Sequence, residues 1–311
     1  NPGVNTLISI GGWTLSGKFS DVAATQQARE KFAASAIKFM TTYGFDGIDL
    51  DWEYPVEGGL DSNTYRPEDG ANYTLLVAEI RKQLTALEAT DGVDKHYLLT
   101  IAAPAGYDKI ENFDLDGMAP YLDWFDLMAY DLHGGTWEKK TGNQAGLYAN
   151  PQSDEPLYNV DTAVQLYLSQ GVDPSKIVLG SPMYGRSWQG VPDGGTHGLN
   201  QVGTGAGFGT YEAGVVDYWQ IVDLTKQQPD MYHVYWDDKA KVPYIYSPIN
   251  GGTFITYENP QSLQYKLDYI KDLGLGGVMF WELDGDVRNS DSPDSLLKLA
   301  ADELLGDQSG A

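Results

Sequence analysis

The chain has 311 residues, 42% hydrophobic and 12% aromatic, with Gly and Pro spread along its length, enough for one large α/β domain or two small ones. It has no cysteine, which excludes disulfides, thiolate metal sites and cysteine nucleophiles but leaves the compartment open. A formal net charge of −24 repels nucleic acid phosphates and anionic lipid surfaces and leaves neutral or cationic partners, and no apolar run approaches the roughly 18 residues of a membrane span.

Short apolar runs rich in β-branched and aromatic residues alternate with segments of helical period, the pattern of βα units around a parallel sheet. Thr6–Gly12 is predicted as the first strand. Phe32, Ala36, Phe39, Met40 and Tyr43 then fall at one-face helical spacing, and Phe45–Tyr54 is the second strand. Tyr73, Leu76, Val77, Ile80, Leu84 and Leu87 mark the next helix, followed by strands at Tyr97–Pro104, Trp124–Tyr130 and Lys176–Gly185. From about Trp188 to Thr256 the alternation breaks. A Gly-rich lead-in precedes a helical pattern over Tyr211–Gln228, and antiparallel strands are predicted in "YHVYWDD" and "VPYIYSP". So long a stretch is no ordinary loop, and residues 188–256 are expected to form a small inserted α+β subdomain within a main body of residues 1–187 and 257–311. Gly276–Glu282 is the last strand, between helices at Gln261–Leu273 and Pro293–Leu305, the latter with Ser292 as cap.

The segment "YGFDGIDLDWEYP", Tyr43–Pro55, crowds Asp46, Asp49, Asp51 and Glu53 into an otherwise strand-like stretch. Side chains alternate along a strand, so Asp49, Asp51 and Glu53 share one face, roughly 6–7 Å apart, while Ile48, Leu50 and Trp52 share the other. The apolar face is expected under helices, the acidic one toward the middle of a parallel sheet or barrel. Three like charges there cannot all ionise cheaply, so at least one proton is expected to remain near neutral pH. A solvated acidic face and a Mg²⁺ or Ca²⁺ site are the alternatives. The third reading is a carboxylate relay ending in a general acid of raised pKa, Glu53, at the C-terminal end of the strand, where barrel enzymes keep their chemistry.

"DGIDLDWEYP" carries the D-x-x-D-x-D-x-E pattern and resembles the signature of family 18 glycoside hydrolases, the chitinases. "SIGGW" (Ser9–Trp13) resembles that family's S-x-G-G strand. "LMAYD" (Met128, Tyr130, Asp131), "PMYGR" (Tyr184, Arg186) and "GGVMFWELDGD" with Trp281 follow in the expected order, and together the motifs cover nearly the whole chain. The resemblance is closest to secreted bacterial chitinases with an α+β insertion.

It implies a (β/α)8 barrel with residues 188–256 as a wall deepening the cleft, and retaining, substrate-assisted hydrolysis of β-1,4 bonds between N-acetylglucosamine units. In that mechanism Glu53 is the acid/base, Asp51 holds the acetamido N–H, Asp49 shares a proton with Asp51, and Tyr130 binds the acetamido oxygen. Met128 and Trp281 would form an apolar floor under the sugar, where an indole stacks on its C–H face. Asp131, Tyr184 and Arg186 would contact neighbouring sugars, an internal Asp131–Arg186 salt bridge being the alternative. Trp13 and Trp137 would be platforms for more distant sugars, although "HGGTW" runs one residue longer than the usual spacing. Asp46 is expected to be structural, and His133 carries no assigned role. The implied partners are chitin and N-acetylglucosamine oligosaccharides, outside a bacterial cell or on its surface. Rival readings are an endo-β-N-acetylglucosaminidase acting on N-glycans and a chitin-binding lectin of the same fold, although Glu53 is retained.

No phosphate-cradling Gly loop, nucleophile elbow or metal-ligand spacing among the four histidines is present, so no cofactor and no metal are expected. "TLISIGGW" resembles the third barrel strand of the family. With Asn1 as first residue, the expectation is that an upstream segment, or a second polypeptide, supplies the first two strands.

Overall fold

The computed structural model describes residues 3–91 and 95–306, which form two compact units. One comprises the described residues up to Leu127 with Leu166–Val178, the other Met128–Gln165 with the described residues from Leu179 onward.

In the first unit, strands β1 (Leu7–Gly11), β2 (Gly47–Asp51), β3 (Leu98–Pro104) and β4 (Trp124–Met128, whose last residue enters the second unit) lie side by side in that order. Helices α1 (Phe19–Ala23), α2 (Gln26–Tyr43), α3 (Asp69–Asp91), α4 (Tyr107–Ile110) and α5 (Leu115–Met118) connect them. β1, β2 and β3 pair in parallel. Local chemistry sets the bounds of α2. The Thr25 hydroxyl accepts the Ala28 N–H at 3.2 Å, and Gly44, at φ 75°, closes the helix in the left-handed conformation with its N–H on the Met40 carbonyl. Gly47 opens β2 because a Cβ there would stand 2.5 Å from the Leu98 carbonyl oxygen of β3.

The apolar face of β2 is where alternation predicts it. Ile48, Leu50 and Trp52 are fully or almost fully buried. Trp52 stacks on Phe19 at 5.4 Å and meets Tyr73 of α3 at 4.9 Å, while the Tyr73 hydroxyl donates to the Leu50 carbonyl. On α2 the buried positions include Ala33, Ala36 and Met40, whereas Phe39 and Tyr43 are exposed and pack on each other at 4.5 Å.

α6 (Val160–Ser169) and β5 (Ile177–Pro182) each pass from one unit into the other along the chain, and α6 is an addition to the predicted elements. In the second unit, the predicted strand Lys176–Gly185 is broken at Met183, whose N–H donates to the Trp281 carbonyl. Beyond it β6 (Tyr184–Gln189), β7 (Gly205–Ala206), β8 (Val215–Asp217), α7 (Tyr218–Gln227), β9 (His233–Asp237), β10 (Val242–Ser247) and β11 (Thr253–Thr256) follow. Their sheet order is β7-β6-β11-β10-β9, with β8 on β6. The β9–β10, β10–β11 and β11–β6 pairings are antiparallel. Trp188, Val191, Leu199, Tyr244 and Phe254 form the core of this region, with Tyr235 and Tyr246 packed against it. The helix predicted from Tyr211 begins only at Tyr218, because Val215–Asp217 is drawn into pairing with Tyr184–Arg186 of β6.

α8 (Pro260–Leu273), β12 (Gly277–Trp281) and α9 (Leu296–Leu305) close the described chain, β12 lying beside β5. α9 is capped by Ser295, not Ser292. The Ser295 hydroxyl accepts the Lys298 N–H, whereas Ser292 is held in a turn with Asp294.

Candidate active site

In the first unit, parallel register decides the surroundings of the acidic row. Ser9 of β1 and Thr100 of β3 both stand level with Asp49 of β2. The Ser9 hydroxyl donates to Asp49 Oδ2 at 2.6 Å and the Thr100 hydroxyl to Oδ1 at 2.8 Å. Both carboxylate oxygens of Asp49 are therefore satisfied from the neighbouring strands. Burial nevertheless pushes its pKa up, against those two hydrogen bonds.

Asp51 differs. Its Oδ1 is buried and has no hydrogen-bond partner among the described residues. Burial first, then the charges of Glu53 and Asp49, raise its pKa to about 7. Gly11 and Gly12 permit this packing. Gly12 sits at φ 91° with its N–H on the Asp51 carbonyl at 2.7 Å, and a Cβ on Gly11 would stand 2.0 Å from that same oxygen. The pKa is thus raised at both Asp49 and Asp51, in keeping with the expectation that a proton is retained in the row. Burial is the largest cause at both residues, ahead of the like-charge repulsion on which the sequence reading rested.

β2 ends at Asp51, earlier than predicted, so Glu53 lies beyond the strand and outside the β1–β2 ladder. Its N–H donates to Ser16 Oγ at 2.9 Å and its carbonyl accepts Asn63 Nδ2 at 3.0 Å. Asp126 of β4 is a further, partly buried acid of this unit, one that the motifs do not contain. Burial and the charge of Asp49 raise its pKa to about 7, against a hydrogen bond from Trp124 Nε1. Asp46 is a structural anchor. It accepts from the Thr6 N–H and hydroxyl and pairs with Lys95 at 3.5 Å. Trp13 is half exposed, as a platform would be.

In the second unit, Tyr130, Asp131, Trp137, Tyr184 and Arg186 come together. Arg186 forms a two-bond fork with Asp131, Nε to Oδ1 and Nη2 to Oδ2, each at 2.7 Å. The salt bridge weighed as an alternative for this pair is therefore formed. Asp131 holds it from a left-handed backbone, φ 57°, a conformation that Asp tolerates better than most residues. The guanidinium lies 5.0 Å from the Trp137 ring centre and 5.3 Å from that of Tyr184, which meets Tyr130 edge-on at 6.3 Å. Gly134 makes room for Trp137: a Cβ there would stand 2.2 Å from the indole. The "HGGTW" segment forms a turn in which Trp137 and Glu138 donate their N–H groups to the Gly134 carbonyl.

The Tyr130 hydroxyl approaches Met279 Sδ of β12 at 3.9 Å. Trp281 ends β12 with about half its surface exposed, and Met128 is half-buried. His133 is buried, with Nδ1 2.9 Å from Glu138 Oε1, a structural arrangement. No group of three or more His, Asp or Glu among the described residues could hold a metal ion.

Ser9, Thr100, Ser16 and Asn63 were without assigned roles in the sequence. Ser9 sits inside the quoted S-x-G-G motif, and Thr100 is the lone hydroxyl in the apolar run "LLTIAAP". Ser16 and Asn63 carry no local signal, since their partners lie 37 and 10 residues away.

The profile of the glycosyl hydrolases family 18 matches residues 1–286. Chitinase A1 of Niallia circulans is 46% identical over 292 residues, covering 92% of this chain and 41% of that protein. Among solved structures, chitinase ChiA74 from Bacillus thuringiensis superposes with a TM-score of 0.89 at 41% identity, over 98% of this chain and 51% of that one. A family 18 N-acetylglucosaminidase from Paenibacillus barengoltzii gives 0.85 at 36% identity, over 98% and 84%. The chain spans less than two thirds of the length of the first two. The α/β fold is that of the family's (β/α)8 barrel, and the chain belongs to the family 18 glycosyl hydrolases.

Proposed function

We propose that the protein is a chitinase, hydrolysing β-1,4 bonds between N-acetylglucosamine units with retention and acting outside the cell. The observation that carries this reading is Asp51: a partly buried carboxyl whose pKa is raised to about 7, one oxygen of which has no hydrogen-bond partner among the described residues, next to Glu53 and to a fully hydrogen-bonded Asp49. Turned toward a bound ligand, this oxygen would gain the partner it lacks in an N–H, which the 2-acetamido group supplies.

The steps follow the family resemblance. Glu53 gives its proton to the glycosidic oxygen as the acetamido carbonyl oxygen attacks the anomeric carbon, so the C–O bond to the leaving sugar breaks and an oxazolinium ring forms. Asp51 accepts the acetamido N–H and balances the cation, and Asp49 takes up or returns the shared proton. Water then attacks the anomeric carbon, opens the ring and returns a proton to Glu53, leaving the original anomeric configuration. Tyr130 would bind the acetamido oxygen, Met128 and Trp281 would carry the sugar's apolar face, and Asp131, Tyr184 and Arg186 would contact its neighbours. Trp13 and Trp137 would hold sugars further out. Residues 188–256, an α+β element by their sheet and helix, would be an insertion walling the cleft.

The test is hydrolysis of an N-acetylglucosamine hexamer with NMR of the nascent anomers, alongside Glu53→Gln. Initial β-anomer and a loss of about 10²–10⁴ in turnover with oligomer binding retained are expected. Initial α-anomer, or a loss below tenfold, refutes the mechanism. The likeness to the Paenibacillus barengoltzii N-acetylglucosaminidase, which extends over 84% of that chain, supports a second reading: removal of single units from chain ends. Product sizes separate the two, since that activity yields only monosaccharide at early times.

A further inference from the structure

We propose that Ser16 and Asn63 are positioning residues of the reaction, a two-point clamp that sets where the carboxyl of Glu53 stands. The proposal rests on the reading of Glu53 as the acid. Hydrogen bonding between β1 and β2 ends with the Gly11–Asp51 pair, so the backbone of Glu53, two residues further on, has no ladder to hold it. Side chains do so instead. Ser16 is fully buried, and its hydroxyl oxygen accepts the Glu53 N–H at 2.9 Å. Its one proton is shared between the Gly12 carbonyl at 2.8 Å and the Asp51 carbonyl at 3.1 Å. One hydroxyl thereby ties the loop after β1 to both Asp51 and Glu53.

The other end of the Glu53 backbone is held from the opposite direction in sequence. Asn63 Nδ2 donates to the Glu53 carbonyl at 3.0 Å, and its own N–H is on the Leu60 carbonyl at 2.8 Å. Gly59, at φ 73°, lets this loop close over Glu53, since a Cβ there would stand 2.1 Å from the Glu53 carbonyl oxygen. The two clamps meet where Thr64 donates its N–H to the Gly17 carbonyl at 3.4 Å. Contacts of this kind help to set the reach of an acid beyond the end of its strand toward a bound sugar, and a displacement near 1 Å costs on the order of 10²-fold in rate.

The experiment measures kcat, KM and the pH profile of hexamer hydrolysis for wild type, Ser16→Ala, Ser16→Thr, Asn63→Ala and the double alanine variant, well below each unfolding temperature. Ser16→Ala and Asn63→Ala are expected to lower kcat by about 10- to 100-fold with KM within about threefold. The profile limb that reports the Asp51–Glu53 pair should move, because Glu53 is one of the charges acting on Asp51. Ser16→Thr should restore both, and the double variant should lose less than the product of the singles. If wild type turns over the hexamer and Glu53→Gln does not, but both alanine variants stay within twofold of wild type with an unmoved profile, the clamp is wrong and the functional reading stands. A lowered kcat with an unmoved profile and no rescue by threonine also overturns it. A wild type without turnover overturns the functional reading and the clamp with it.

Discussion

Replacing Asp126 by Asn tests whether burial governs the protons of the acidic strand ends. An ordinary aspartate titrates near 3.8, while Asp126 is pushed up to about 7, chiefly by burial and then by the charge of Asp49. Each pH unit is worth about 1.4 kcal/mol, so ionising Asp126 in the folded protein costs about 4 kcal/mol. The sign follows from linkage. Below pH 3.8 the group is protonated folded and unfolded and contributes nothing to the pH dependence. Between 3.8 and about 7 the unfolded chain releases the proton first, and stability falls as pH rises. Above about 7 the full cost is present. Asn keeps an acceptor for Trp124 Nε1, which reaches Asp126 at 3.1 Å, and removes the charge. Urea unfolding followed by tryptophan fluorescence at pH 5 and pH 8.5 should therefore show a stability advantage of Asp126→Asn that grows by about 3 kcal/mol between the two. An advantage independent of pH would refute the reasoning, because it would mean that Asp126 ionises as readily in the folded protein as in the unfolded chain.

Two further perturbations probe the second unit. Lys266 and Glu258 are wholly buried and 2.5 Å apart, with Ser262 also donating to the carboxylate. Lys266→Met strands that carboxyl and should cost about 3–5 kcal/mol in urea unfolding at pH 8, less at pH 5 where Glu258 takes up a proton, and Glu258→Gln in the same chain should recover part of it. Asp131→Asn keeps the left-handed backbone at φ 57° but loses the charged fork to Arg186. A loss of about 2 kcal/mol in stability and weaker hexamer binding in calorimetry are expected, and unchanged values of both would show that the fork does not hold Arg186 in place.

The acidic strand was legible in the sequence because its signal is local. Alternation of Ile48, Leu50 and Trp52 with Asp49, Asp51 and Glu53 is a property of any extended chain, and it correctly assigned the buried face. Helix α3 was legible for the same reason, since Tyr73, Leu76, Val77, Ile80 and Leu84 fall at one-face spacing and are buried, whereas on α2 the same pattern also took in Phe39 and Tyr43, which are exposed. What failed had two different causes, one distant in the chain and one local. The start of α7 moved because β6 captures Val215–Asp217 in a pairing that the sequence does not advertise, and the cap of α9 shifted because Ser292 had a nearer competitor in Asp294.

By itself the sequence determined which chemical groups stand on the strand, in what order and on which face, since a period of two needs nothing but an extended backbone. Only the tertiary structure decided their protonation and reach. Parallel register brings Ser9 and Thr100 to Asp49 across 40 and 51 residues, Asp51 Oδ1 is buried without a partner among the described residues, and Ser16 and Asn63 take hold of Glu53 where the ladder has ended. These are effects of distance and dielectric between segments far apart in the chain, and no local pattern of residues encodes them.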